Sequence, residues 1–254
     1  MIGAITGDMV GSMYEHQPIK TKDFPLFSPR SCFTDDSVLT VAVASAILND
    51  TPYAEAVRQI GRQYPNAGYG GSFIQWLTGP NAGPYYSWGN GAAMRVSPVG
   101  FAYATEADVL AQAKATAEIT HNHPEGIKGA QATALAVFWA RTGADKATIR
   151  ETLTQRFDYD LARTLADIRP RYRFDVSCQG SVPEAIIAFL EANSYEDALR
   201  NAVSLGGDSD TQACIAGGIA EAFYGVPDTL YTEVKHRLTP GLWAITDAFC
   251  QRYR

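Results

Sequence analysis

Cysteine is scarce in this 254-residue sequence, and nothing pairs it: Cys32, Cys178, Cys214 and Cys250 lie far apart, with no Cys-x-x-Cys spacing. That pattern excludes a disulfide-stapled scaffold and cysteine-built zinc sites, so free thiols in a reducing cytoplasm are expected. No apolar run approaches the roughly 20 residues that span a bilayer. The longest, Val38 to Leu48, reads as a buried core helix, and no membrane partner is expected. Positive charge is also in deficit: 21 Lys and Arg against 27 Asp and Glu give a net charge of −6. Nucleic-acid binding runs on basic patches, so no nucleic-acid partner is expected either. The opening Met1 to Asp8 lacks a positive n-region, and the first lysine is Lys20, which fits a cytoplasmic location. Walker A, dinucleotide-fold and Gly-x-Ser-x-Gly signatures are absent, which sets aside P-loop NTPases, dinucleotide dehydrogenases and α/β-hydrolases.

What is present is a composition ordinary for a folded chain, 46% hydrophobic and 19% charged. There is no linker composition and no repeat of solenoid length, so residues 1–254 read as a single domain. Most of it carries helix punctuation. Thr34-Asp35-Asp36 opens a segment to about Leu48, Thr105 one to about Ile119, Glu125 one to about Arg141, and Ser194 another. Ser181, with Pro183 and Glu184 behind it, reads as a further N-cap. Asp210 or Thr211 opens a last strong helix to Tyr224, closed by Gly225 and Pro227. Alternating runs are scarce, so the expectation is all-α. Residues 15–33 and 64–100, rich in Gly, Pro and aromatics, read as long irregular loops, which in a compact domain are usually functional.

One motif occurs twice. Thr34-Asp35-Asp36-Ser37 precedes an apolar helix, and Gly207-Asp208-Ser209-Asp210-Thr211 precedes another. A helix apolar on all sides is buried, and its acidic end is drawn inward with it. Taken singly, each motif is explained by capping, where one carboxylate suffices. Two carboxylates at each of two ends add repulsion and desolvation that cations relieve. Oxygen-only ligands suit Mg²⁺ or Mn²⁺. The expectation is a binuclear Mg/Mn site at helix N-termini, provided the two ends meet. Gly7-Asp8 with Gly11 and Glu15 forms a third acidic segment whose glycine spacing allows close helix approach; Glu15 alone reads equally as a solvated loop residue.

His121-Asn122-His123 can be read as ligand contacts or as caps of the following helix. A zinc site would need further His or Cys ligands, and only the isolated His16 and His236 remain. Gly70-Gly71-Ser72 and Asn90-Gly91 could present backbone N–H groups to phosphate oxygens, with Tyr85, Tyr86 and Trp88 available to stack on a purine. The alternative is a surface loop whose aromatics plug the core.

Taken in order, Gly7-Asp8 with Gly11 and Glu15, Phe33-Thr34-Asp35-Asp36-Ser37, Gly68-Tyr69-Gly70, Gly89-Asn90-Gly91 with Met94-Arg95, Thr120-His121 and Gly207-Asp208-Ser209-Asp210-Thr211 resemble the ADP-ribosylglycohydrolase family over nearly the whole chain. The resemblance implies an all-α orthogonal helical bundle with two Mg²⁺ or Mn²⁺ ions. It implies Thr34, Asp35, Asp36, Asp208, Asp210 and Thr211 as metal ligands. Glu15 would be an acidic residue at the site entrance. Gly70, Gly71, Ser72, Asn90, Gly91 and Met94 would line an ADP-ribose cleft, with His121 near the ribose and phosphates. The implied reaction releases ADP-ribose from an ADP-ribosylated protein, on arginine first and serine next. Asp35, Asp36 or Glu15 would take the water proton. Other readings stay open at this point: another ADP-ribose linkage, an ADP-ribose binder without turnover on the same scaffold, and a metal phosphohydrolase of another class.

Overall fold

A computed structural model describes residues 1–80 and 83–253, so Asn81 and Ala82 of the second irregular stretch lie outside the described residues. The order is α1 (Ile2–Gly11), α2 (Asp35–Asn49), α3 (Tyr53–Gly61), α4 (Gly71–Thr78), α5 (Gly91–Met94), α6 (Ser97–Ala102), α7 (Glu106–Glu118) and α8 (Pro124–Arg141). Then follow α9 (Lys146–Phe157), α10 (Leu165–Ile168), α11 (Cys178–Leu190), α12 (Tyr195–Val203), α13 (Ser209–Tyr224), α14 (Asp228–Arg237) and α15 (Pro240–Tyr253). Among the described residues there is no strand; a single bridge joins Gly89 to Ser177. The architecture is all-helical, and no helix among the described residues is long and apolar enough to cross a membrane.

The helix starts follow their caps. Thr34 is extended (φ −116°, ψ −165°), and its hydroxyl accepts from the Asp36 N–H; α2 then closes on Asp50 in the left-handed region (φ 51°). Thr105 caps α7, and Ser194 caps α12 in the same way. α11 departs from expectation. It starts at Cys178 behind Ser177, whose side chain accepts from the Gly180 N–H, so Pro183 lies inside the helix. Ser181 is buried and donates its hydroxyl proton to the Asp175 carbonyl instead of capping. Glu184 turns away to Arg163 at 2.6 Å.

Two further corrections concern extent. Residues 64–100 are not one loop, because α4, α5 and α6 lie within them. These are short helices held by the burial of Phe73, Trp76, Leu77 and Val99 rather than by a long periodic pattern. α14 and α15 follow α13, which is therefore not the last helix. Residues 15–33 carry no helix, as expected.

α13 is the centre of the packing. It is buried from Ser209 to Ala220 and packs against α1, α8, α11 and α12. Its contact with α1 is the most extensive between two helices and is set by glycine. A Cβ on Gly3, Gly7 or Gly11 would run into the backbone at Gly217, Ala213 or Ser209, respectively. The three pairs run in opposite directions along the two helices. The C-terminal end of α1 therefore lies beside the N-terminal end of α13, which carries Asp8 and Glu15 to Asp208 and Asp210.

Candidate active site

Asp8 ties the site's first two helices together. It is fully buried, and its two oxygens accept from Thr34 N at 2.9 Å, Thr34 Oγ1 at 2.7 Å, Ser37 N at 3.0 Å and the Ser37 hydroxyl. One carboxylate on α1 thus grips the first turn of α2, with the helix dipole favouring the negative charge there. The sequence motif held Asp8, but its role as the brace between α1 and α2 was missed. A buried acid beside Thr-x-x-Ser N–H groups is a signal visible only once the helices are paired. Thr34, expected as a metal ligand, donates its hydroxyl proton to Asp8 Oδ1 and accepts from the Asp36 N–H, which leaves one lone pair of its oxygen free beside the acids.

The two acidic helix ends do meet. Thr211 Oγ1 donates to Asp36 Oδ2 at 3.4 Å. Carboxylate oxygens of Asp8, Asp36 and Asp210 lie within 4.8 Å of one another, and so do those of Glu15, Asp208 and Asp210. Asp210 belongs to both groups. Desolvation raises the carboxyl of Asp36 well above its ordinary value, with Asp8, Asp35 and Asp208 adding repulsion. Asp210 is raised in the same way, by desolvation and then by Asp36 and Asp208. Desolvation followed by Asp8 pushes Asp35 up to about 8. Half-buried Glu15 is raised by desolvation, with Asp208 and Asp8 opposing its charge and His16 favouring it. Among the described residues no lysine or arginine forms an ion pair with these acids. Asp36 Oδ1 is buried without any hydrogen-bond partner. Crowded carboxylates with an orphaned oxygen and an all-oxygen donor set fit hard divalent cations.

Above the acids opens a cleft of about 570 Å³, a size typical of small-molecule sites. Glu15, Asp35, Asp36, Asp208, Asp210 and Thr211 form its acidic end. Gly70, Gly71, Ser72, Asn90, Gly91, Met94 and His121 all line it as well. The Asp35 N–H donates to the Ala67 carbonyl at 2.7 Å, which ties the glycine segment to the start of α2. Gly70 and Gly71 have nothing within 4 Å of where a Cβ would sit, so their backbone faces open space. Asn90 spans the acidic end and the wall, donating to Asp208 Oδ2 at 2.7 Å and to Ser181 Oγ at 3.2 Å.

The two histidines divide the alternatives between them. His123 caps α8, its Nδ1 accepting from the Glu125 N–H at 3.1 Å. His121 is buried in the cleft wall, with burial and the Arg95 charge holding it well below the usual imidazole range. At the mouth Tyr86, Trp88, Phe174 and Val176 are each more than half exposed and line the same cleft. Tyr86 takes a left-handed backbone (φ 56°), uncommon for a bulky residue, and its ring meets His123 edge-on at 4.7 Å. Arg95, Phe174 and Val176 were not anticipated as lining residues. The last two come from an irregular segment with no motif, brought in by the bond from Asn90 N to Val176 O at 2.7 Å.

A family model described as ADP-ribosylglycohydrolase matches residues 1–254. The ADP-ribosylhydrolase ARH3 of Mus musculus is 26% identical over 307 residues, taking in 89% of this chain and 83% of that protein. ARH3 of Homo sapiens is 26% identical over 306 residues, with 89% and 84% covered. The ADP-ribosylarginine hydrolase Tri1 of Pseudomonas putida is 27% identical over 144 residues, 54% of this chain and 39% of that protein. A solved structure of an ADP-ribosylglycohydrolase-related protein complex superposes with a TM-score of 0.75 at 23% identity, covering 100% of this chain and 97% of that one, which shows a shared fold. Matched from end to end by the family model, this chain belongs to the ADP-ribosylglycohydrolase family and is a glycohydrolase.

Proposed function

We propose that the protein hydrolyses the glycosidic bond between ADP-ribose and a modified protein side chain, with ADP-ribosyl-arginine as its first substrate and ADP-ribosyl-serine as its second. The observation that carries this reading is the convergence of two carboxylate groups on Asp210 at one end of a cleft whose other walls are open glycine backbone and aromatics. An anionic pyrophosphate would lie on the N–H groups of the 70–72 and 90–91 segments, and the adenine against one of the rim aromatics. The ribose would then sit over the acids.

Asp36, Asp208 and Asp210, with Thr34, Asp35 and Thr211 beside them, are the residues that would hold two Mg²⁺ or Mn²⁺ ions. Asp8, already accepting four hydrogen bonds, braces them. Ions held there would supply the Lewis acidity that makes water a nucleophile near neutral pH and would favour a ribose placed over the acids. Asn90 fixes the Asp208 carboxylate through its 2.7 Å bond. Asp35 and Glu15 both line the acidic end of the cleft and are the groups to receive the water proton as the oxocarbenium-like transition state collapses.

The test is to incubate ADP-ribosyl-arginine and ADP-ribosyl-serine peptides with the protein in Mg²⁺, in Mn²⁺ or in EDTA and quantify free ADP-ribose. Release that needs metal and is lost in Asp210→Ala is expected. Metal-independent release, retained at the wild-type rate in both Asp35→Ala and Asp210→Ala, would overturn the reading. Tight ADP-ribose binding with no release from either peptide would point instead to a binder or another linkage.

A further inference from the structure

Arg95 follows α5 and is fully buried, yet among the described residues its only side-chain hydrogen bonds run from Nη2 to the Thr116 carbonyl and to Thr120 Oγ1, each at 2.8 Å. Its Nε and Nη1 have no partner. A buried guanidinium without a carboxylate is costly, and packing alone does not require it. What it touches next is informative. Thr120 Oγ1 lies 2.7 Å from Nδ1 of His121, the following residue. A guanidinium can only donate, so the Thr120 oxygen faces a permanent donor on one side. That oxygen keeps a second lone pair, but its own proton has no acceptor other than the imidazole Nδ1 among the hydrogen bonds of the described residues, and a proton on Nδ1 would strand it; Nδ1 is therefore the unprotonated nitrogen. The ring proton is left on Nε2.

That nitrogen meets the cleft wall where glycine leaves it uncovered: a Cβ on Gly91 would come within 3.1 Å of Nε2, and one on Gly89 within 3.3 Å. Tyr85 packs its ring against the imidazole at 5.7 Å between centroids, fixing its plane. We propose that Arg95 and Thr120 are positioning residues that lock His121 in the Nε2–H tautomer, as a fixed hydrogen-bond donor to an acceptor oxygen of the ligand in the cleft. His121 then recognises a phosphate or ribose oxygen and carries no proton in the reaction. The ligand part of this proposal rests on the ADP-ribose reading above, whereas the relay does not.

The test uses the full-length protein labelled with ¹⁵N-histidine. Four histidines give few ring signals, and the loss of one set in His121→Gln assigns the residue. At pH 7 the wild-type ring is expected as the Nε2–H tautomer. Thr120→Val should release it to the other tautomer or a mixture, and Thr120→Ser should restore it. ADP-ribose affinity should fall about tenfold in Thr120→Val, the loss of one hydrogen bond to a charged or polar oxygen, and return in Thr120→Ser. Measuring ADP in parallel separates the sources: a loss shared by ADP puts the oxygen on the pyrophosphate, and a loss confined to ADP-ribose puts it on the distal ribose. A wild-type ring protonated on Nδ1, or a tautomer unchanged by Thr120→Val, overturns the relay. If Thr120→Val does not fold, the wild-type spectrum still decides. An Nε2–H ring in a protein that binds no ADP-ribose keeps the relay and sinks the ligand assignment.

Discussion

Asp8 accepts four hydrogen bonds from the start of α2, whereas Asp36, in that same first turn, has one oxygen with no partner at all. Their substitutions should therefore separate. Asp8→Asn replaces acceptor sites with an amide NH₂ that faces other N–H groups, leaving donors unsatisfied; a loss of about 1–3 kcal/mol in thermal or urea unfolding is expected. Asp36→Asn removes a charge that the fold accommodates poorly, so the metal-free protein should keep or gain stability in EDTA. Turnover of the ADP-ribosyl peptide should nevertheless fall by about 10³-fold, because the orphaned oxygen is the one available to a cation. Equal destabilisation by both substitutions would argue against this division of roles.

At the scale of elements, the α1–α13 contact admits no side chain at Gly3, Gly7 or Gly11. Gly7→Ala should cost about 3 kcal/mol or more by overpacking against the Ala213 carbonyl. It should also weaken Mg²⁺ binding, since Asp8 and Asp210 ride on those two helices. Gly70→Ala is the control: nothing lies near its Cβ and its φ of −62° suits alanine, so the melting temperature should hold while KM for the ADP-ribosyl peptide rises. The same contact explains what could be read in advance. α2, α7 and α12 announce themselves through Thr or Ser caps, and the twofold acidic motif named the helix ends that meet. α1 was legible only as glycine spacing, because a helix buried on every face has no polar side to set a period and its three glycines are poor helix formers. The N-cap of α11 was misplaced by four residues because Ser181 and Pro183 imitate a first turn while the Ser181 hydroxyl serves a tertiary contact. Phe174 and Val176 reach the cleft through the two backbone bonds of the Gly89–Ser177 bridge, which leave no trace in composition.

For the molecule as a whole, the acidic end couples stability to pH. Asp35 has an ordinary value of 3.8 when unfolded and about 8 when folded, raised by desolvation and then by Asp8. A raised carboxyl contributes its stability below the unfolded value and loses it as pH climbs through the folded one. In EDTA the melting temperature should accordingly fall between about pH 6.5 and 8, with Asp36 and Asp210 acting in the same direction and His121, held below the usual imidazole range, opposing them only at lower pH. Mg²⁺ at about 100 times its Kd should restore about 5–10 °C at pH 8 and much less at pH 5, as ligand linkage and the size of the chain imply. A metal-free melting temperature that is flat or rises across this range would contradict the charge crowding described above.

The pairing of α1 with α13 also has a consequence for how the chain assembles. Asp8 and Asp210 stand near opposite ends of the sequence, so their meeting is among the most non-local contacts available and its loop-closure cost is met late. During synthesis Asp8 and Asp36 are made long before Asp208 and Asp210, and the full set of carboxylates is never gathered on a partial chain. Fragments ending before α13 can fold their local helices but cannot assemble the cleft floor. On the metal-binding reading, divalent-cation affinity is therefore a reporter of the final docking step, and a probe that binds at the acidic end reads completion of the fold rather than the presence of helix.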